Sequence, residues 1–174
     1  MMIKLPPPWS LVLIGLILNI FAILLSSIVL DSLSGTIAEL EEKKQENQYS
    51  IQLSWNSVET LERKREALLQ HIHLHGYIKA PNPLNQMLAE QLQGWVNQPV
   101  PQVHPDNLAI ITQLIDQSQQ VQRDTIDNYF LENLSLNDQV MALNKDIALY
   151  KNIALFLQVF GLALILAKDL ARKA

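Results

Sequence analysis

The chain carries an uncharged apolar run near each end, and these two runs restrict its fold more than any other feature. The first, Trp9–Leu30, has 22 residues without a charge. As a helix it is about 33 Å long, enough to cross a hydrocarbon core of roughly 30 Å. Three prolines at 6–8 stop any helix before it, and Trp9 stands where an interfacial anchor belongs. We expect an uncleaved transmembrane helix over residues 9–30, after a cytoplasmic tail of residues 1–8.

The first run also has one feature of a cleaved signal peptide. Ser32, Leu33 and Ser34 form an acceptable small-x-small cleavage site. The apolar region of a signal peptide is usually about 7–15 residues long, so the greater length of this run favours an anchor that stays in the protein.

The second run, Ile153–Ala167, has only 15 uncharged residues, which is short for a membrane span. A buried core helix is therefore the competing interpretation. Lys151 and Lys168 flank the run and can extend toward the headgroups, and Tyr150 suits the interface. We expect a second transmembrane helix over residues 153–167, followed by a cytoplasmic tail of residues 168–174.

Each run has a stripe of small and polar residues at helical spacing. The stripe positions are Gly15, Asn19, Ala22 and Ser26 in the first run and Ala154, Gln158 and Gly161 in the second. Such stripes let membrane helices pack closely, and buried amides find partners across helices. The spacing predicts an antiparallel pair in which Asn19 and Gln158 hydrogen-bond at matching depth. The alternative is that both amides face other copies of the chain.

The distribution of charge predicts the orientation in the membrane. The two tails carry Lys4, Lys168, Arg172 and Lys173 against Asp169, whereas residues 32–150 contain 8 basic and 15 acidic residues. The positive-inside rule then places both termini in the cytoplasm and the middle outside. In a Gram-negative bacterium the protein would lie in the inner membrane with a periplasmic middle, which the absence of cysteine suits.

The middle of the chain, residues 31–152, reads as a helical stalk with a cap at residues 76–105. Asp31–His75 and Asp106–Asn152 contain 45 and 47 residues, so two helical arms of about 70 Å each would match in height. The expected fold is all-α, with two transmembrane helices flanking an extramembrane antiparallel helical hairpin that resembles a coiled coil. A two-helix stalk buries little surface, so we also expect a homo-oligomer or a partner membrane protein.

Apolar spacing within the middle predicts which side chains are buried. In the outgoing arm the predicted buried face is Ile51, Trp55, Val58, Leu61, Arg65, Leu68 and Ile72. In a short cap helix it is Leu84, Leu88, Leu92 and Trp95. In a third helix, which Asp106 is expected to cap, it is Leu108, Ile111, Leu114, Ile115, Val121, Tyr129 and Phe130. A seam of Leu136, Val140, Leu143, Ile147, Tyr150, Ala154, Leu157 and Gly161 enters the second run in register. The polar stretch 41–50 allows either a solvated segment or a break, and the capping-box-like sequence from Ser135 allows a joint.

Two clusters of charged or titratable residues have a structural and a functional interpretation. His71, His73 and His75 could hold a metal on a strand, but on a helix only His71 and His75 share a face. Histidines in the last turn of a helix interact well with its dipole, and we favour this interpretation over a metal site. The basic run Arg63-Lys64-Arg65 is expected on a solvated face, and Gly76 is expected to end the helix.

Composition excludes several functions and leaves three hypotheses. A net charge of −4 argues against nucleic acid as a partner, and no cysteine or catalytic motif supports an enzyme or a cofactor. The leading hypothesis is a non-catalytic interaction, sensing or accessory subunit in a lipid bilayer. The second is a pore-forming oligomer, such as a toxin or defence effector, and the third is an inverted topology with the middle as an intracellular tether.

Overall fold

Each element in the computed structural model is helical, and the model describes residues 7–75 and 83–171. The elements are α1 (Pro8–Leu24), a π-helical turn (Leu25–Val29), α2 (Leu30–His75), α3 (Pro83–Val96), a 3₁₀ turn (Pro105–Asn107) and α4 (Leu108–Ala171). Within these described ranges there is no β-strand, so the all-α prediction is confirmed. Gly76, the predicted end of the first arm, lies outside the described residues.

The long helices are continuous at the two places where the sequence allows an interruption. Pro7 is extended and Pro8 opens α1, as prolines before a helix favour. The helix then continues through the π turn into α2, and the polar stretch 41–50 stays helical. α4 runs for 64 residues through Ser135. The break and the joint that the sequence allowed do not form, because cap-type residues are also tolerated inside a helix whose apolar seam continues past them.

Two helices among the described residues are long and apolar enough to cross a membrane. They contain the runs 9–30 and 153–167. Only 11% of the most apolar window in each helix is buried within the chain. Such low burial differs from that of a soluble protein's core helix, which is mostly covered by its own chain.

Contacts divide the chain into two compact units. The first unit comprises Met1–Lys43 and Ser135–Ala174. Its buried positions are Gly15, Ala22, Leu136, Val140, Ala154 and Gly161. All eight positions of the predicted seam from Leu136 to Gly161 are buried or half-buried, so this seam is confirmed. Large apolar side chains such as Phe21, Phe156 and Val159 lie on the outside.

The second unit, Lys44–Leu134, has its own apolar core. That core joins α2, α3, the following connection and α4 through Leu61, Leu68, Ala89, Leu92, Val96, Val103, Ile111 and Ile115. Within it, the predicted positions of α2 and α4 are largely correct. The exceptions are Trp55, Val121 and Phe130, which are exposed because Ser54, Gln119 and Ile126 occupy the buried face.

The cap helix α3 has a different buried face from the predicted one. Leu92 is buried and Leu88 is half-buried, but Leu84 and Trp95 are exposed. Ala89 and Val96 take their places, since the smaller side chains let α3 approach the other two helices. α3 ends at Asn97, whose φ of 53° is the left-handed conformation that asparagine tolerates at helix C-termini.

The start of the third helix also differs from the prediction. A 3₁₀ turn precedes α4, and His104 caps it by accepting a hydrogen bond from the Asp106 backbone N–H at Nδ1. Asp106 therefore lies inside the turn and does not cap the helix. A 3₁₀ turn is a common way for a helix to begin.

Candidate functional site

The first unit contains a close backbone contact between two glycines of the predicted stripes. A Cβ atom placed on Gly15 would lie 2.5 Å from the Gly161 carbonyl oxygen and 2.8 Å from Ile165 Cγ1. A Cβ atom on Gly161 would lie 2.7 Å from the Gly15 carbonyl oxygen. Contacts this short require glycine on both sides. The chain thus uses small residues to bring α1 and α4 together, as helices do in membranes.

Asn19 packs into the same contact. Its Nδ2 donates a 2.9 Å hydrogen bond to the carbonyl oxygen of Gly15, one turn earlier in α1. A Cβ atom on Gly161 would lie 2.5 Å from this Nδ2 atom, so the missing side chain makes room for the amide. The predicted hydrogen bond to Gln158 does not form among the described residues, because the nearer backbone carbonyl takes the donor.

The other stripe residues fall into two groups. Ala22 and Ala154 are buried, whereas Ser26 and Gln158 are exposed. Ser26 leaves the buried face because it lies in the π turn, where i→i+5 bonding inserts a residue and shifts the face by part of a turn. The structure therefore brings Gly15, Asn19 and Gly161 together and places Ser26 and Gln158 at the surface.

Ser26 and Gln158 line one open cleft beside the π turn. The cleft has a volume of about 340 Å³, and its lining also includes Ala22, Ile23 and Ser27. Its three polar side chains are Ser26, Ser27 and Gln158. Within the described part of the chain, none of the three has a hydrogen-bond partner. We call this site the Gln158 cleft.

The second unit contains a polar network between α2 and α4. Arg65 Nη2 donates to Asp116 and, at 3.3 Å, to Gln119 Oε1, and Nη1 lies 3.3 Å from Glu62 Oε2. Gln119 Nε2 donates to the Val58 carbonyl oxygen and to Glu62 Oε2. The side chain of Arg65 is 20% exposed. Gln119 is buried, whereas Glu62 and Asp116 are 46% and 58% exposed. A partly buried network of this kind favours one register of the two helices, because a shift would leave Gln119 without its partners.

A second polar contact reinforces the same register within this unit. Asn47 is buried and its Nδ2 donates a 3.1 Å hydrogen bond to Asn133 Oδ1. The pairs Asn47–Asn133 and Arg65–Asp116 show that α2 and α4 are antiparallel here, because the partner's number in α4 falls as the residue number in α2 rises.

The basic run at 63–65 does not form one solvated face. Arg63 is 73% exposed and pairs with Glu59, as expected. Lys64 Nζ lies 5.6 Å from the ring centre of Trp95, a cation–π contact to α3. Arg65 points into the network. The prediction was wrong for Arg65 because successive residues point about 100° apart around a helix.

The histidine cluster makes one contact between helices. His71 Nε2 lies 2.6 Å from Asn85 Oδ1, which joins α2 to α3. His73 is exposed, and the side chain of His75 lies outside the described residues. Among the described residues, no group of three His, Cys, Asp or Glu side chains has the arrangement of a metal site.

Sequence reasoning missed the π turn, the Gly15–Ile165 contact, the Arg65 network and the Lys64–Trp95 contact. Only Arg65 gave a signal, because it falls on the apolar face of α2 at the same spacing as Leu61 and Leu68. A charged residue on such a face needs a partner, which Asp116 supplies.

Comparison of the chain with protein-family models, with curated proteins and with solved structures gives no match. The proposals below rest on the contacts, burial and chemistry of the residues described above.

Proposed function

We propose that this protein is a non-catalytic integral membrane protein that presents a helical domain outside the cytoplasm and acts by binding, as an interaction, sensing or accessory subunit. The observation that carries the proposal is the distribution of small, polar and large apolar side chains in the first unit. Glycine, alanine and an amide fill the contact between helices, while large apolar side chains face outward. In water this arrangement would expose a large apolar surface, and in a bilayer it is the ordinary one.

The proposed topology is a hairpin whose two ends enter the bilayer. Residues 9–30 and 153–167 span the membrane in opposite directions, and residues 31–152 lie on the other side from both termini. The antiparallel contacts within each unit support this arrangement. The charge difference between tails and middle supports cytoplasmic termini, in the inner membrane if the organism is Gram-negative.

The proposed binding role rests on the surface of the second unit. Val121, Phe130 and Leu131 are more than half exposed on α4, outside both apolar runs. Lipid would not cover these side chains in the proposed topology, and apolar surface that water contacts commonly marks a protein interface. The absence of a catalytic motif in the sequence is the basis for assigning no reaction.

Two lysine substitutions test membrane insertion against a soluble bundle. Phe160 and Met141 both lie on α4 and are 48% and 49% exposed, but only Phe160 lies in a proposed span, at its centre. A lysine near the centre of a span costs about 2.5–3.5 kcal/mol. We expect F160K to reduce the fraction that resists carbonate extraction, and M141K to leave it unchanged. Equal behaviour of both variants, or complete release of the native chain, would reject the proposal.

Co-purification tests the binding role separately. The native chain, extracted in mild detergent from its own host, should retain a second membrane protein in constant proportion. Recovery of the chain alone, under conditions in which it stays folded, would contradict an accessory role.

A pore-forming oligomer is the second candidate, because Ser26, Ser27 and Gln158 face outward from the helix pair. In a ring of copies these side chains would line a polar lumen. Ion flux from purified protein in liposomes distinguishes the candidates, since an accessory subunit gives none.

A further inference from the structure

The Gln158 cleft is a polar site in an otherwise apolar surface. We propose that it is the contact through which a second copy of this chain binds, with Gln158 of each copy inserted beside the Ser26 and Ser27 hydroxyls of the other. This inference rests on the membrane insertion proposed above. It adds a defined partner and a defined contact to that proposal.

The polar side chains of the cleft have donors and acceptors that require hydrogen-bond partners. Gln158 has two N–H donors and one carbonyl acceptor, and each serine hydroxyl donates and accepts. None of these side chains has a partner within the described residues. Residue 158 lies in the middle of the second apolar run, and acyl chains offer no hydrogen bonds there. An occupant that donates and accepts is therefore required.

The π turn explains why these side chains find no hydrogen-bond partner within the described residues. It carries Ser26 away from the buried face, so that both serines line the open cleft with Gln158 and form no hydrogen bond to it within the described residues. The Asn19 amide, one turn deeper in the contact, is already satisfied by the Gly15 carbonyl oxygen. The open polar groups are thus confined to one cleft, which favours a single partner helix over diffuse contact.

A second copy fits because the cleft supplies both halves of the interaction. The Gln158 amide and the two serine hydroxyls line the same cleft. A two-fold axis beside the cleft would therefore place the Gln158 amide of each copy against the serine hydroxyls of the other. Such a self-complementary patch is the usual basis of a symmetric dimer. The cleft contains no charged residue that would demand an oppositely charged partner.

Single cysteines test the contact cleanly, because the natural chain has none. Two differently tagged copies of the full-length protein are placed in one membrane, one carrying Q158C and the other a test cysteine, with copper phenanthroline as oxidant. As the test cysteine, S27C should form a disulfide with Q158C of the other copy, because the proposed contact brings these two residues together. F156C is the matched control, since Phe156 is highly exposed in the same apolar run but points about 160° away from Gln158 around α4. We expect F156C to give little cross-linked dimer.

A second measurement follows the amide itself. Energy transfer between two differently labelled copies in liposomes reports their association. Q158L in both copies removes two equivalent contacts and should lower the association constant about 10- to 900-fold, since one hydrogen-bonded contact in a membrane accounts for about 3- to 30-fold. Q158N keeps the amide and should retain most of the association. Loss in both variants, or in neither, would show that the amide does not join the copies.

The outcomes separate this inference from the membrane proposal. If carbonate releases the chain, membrane insertion fails and the dimer contact fails with it. If the chain stays in the membrane but S27C and F156C cross-link alike, only the dimer contact is overturned. Cross-linking of S27C to a protein of different mass would also overturn it, since the occupant would then be another membrane protein.

Discussion

Gly15 and Gly161 approach so closely that a methyl group on either would collide with the backbone oxygen of the other, at 2.5 and 2.7 Å. The contact joins α1 to α4 inside the first unit. Gly15 and Gly161 each stand at one end of a small-residue stripe, and their contact sets how closely the two apolar helices pack.

Substitution of Gly15 by alanine should weaken the first unit. The added Cβ meets backbone, which cannot move aside, and overpacking of this kind costs about 1–3 kcal/mol. For a chain of this size, the midpoint of thermal unfolding in detergent should fall by about 2–4 °C per kcal/mol. Circular dichroism at 222 nm measures it.

Gly35 provides the control for that substitution. A Cβ atom there meets nothing within 4 Å, and the residue lies inside α2. Because alanine favours a helix by about 0.5–1 kcal/mol over glycine, G35A should raise the midpoint slightly. If G15A and G35A shift the midpoint in the same direction, the glycine contact is not present in the protein.

Asn19 and Gln158 should contribute independently to the stability of the monomer. Asn19 donates to Gly15, Gln158 lines a different site, and they share no partner. In monomeric detergent-solubilised protein, the double variant N19L/Q158L should therefore equal the sum of the single variants within about 0.5 kcal/mol. A double variant more stable than that sum by more than about 0.5 kcal/mol would mean that the two amides are paired after all.

The Arg65 network should matter far more than its exposed neighbour. R65M removes the partner of Asp116 and leaves Gln119 Oε1 buried without a donor, at a cost of about 1–3 kcal/mol. R63M removes only an exposed pair, worth at most about 1 kcal/mol. Thermal unfolding of both variants tests this, and equal losses would show that Arg65 is not built into the interface.

The periodic parts of the fold were predictable from the sequence, and the reasons are physical. The seam from Leu136 to Gly161 alternates spacings of three and four, which only one face of a continuous helix satisfies. The glycine positions in both stripes followed from the same spacing. Burial in long helices is thus set by local periodicity.

The periodicity of the sequence does not mark the remaining features. The π turn moves Ser26 off the stripe, and nothing in the residues 25–29 marks the change of hydrogen bonding. In α3, Ala89 and Val96 are buried where Leu84 and Trp95 were expected, because the shape of two other helices decides the face. The Asn19 side chain hydrogen-bonds to a carbonyl oxygen of its own helix. The prediction of a bond to Gln158 compared only the depths of the two amides in the membrane and did not consider this nearer acceptor.

His71 should hold α3 against α2. Its Nε2 lies 2.6 Å from Asn85 Oδ1, whereas His73 is exposed. In H71A, backbone amides of α3 should exchange hydrogen faster than in the native chain, and H73A should leave them unchanged. Hydrogen exchange followed by mass spectrometry measures both. Faster exchange in H73A, or none in H71A, would remove the structural role given to His71.

The most direct test of the proposed topology is the accessibility of a cysteine at position 102. Gln102 is exposed, and its backbone oxygen accepts a hydrogen bond from Asn107 that the substitution leaves in place. With the protein made in a Gram-negative host, Q102C in intact spheroplasts should react with a membrane-impermeant maleimide as fully as after lysis. Reaction only after lysis would place the helical domain in the cytoplasm and contradict the account.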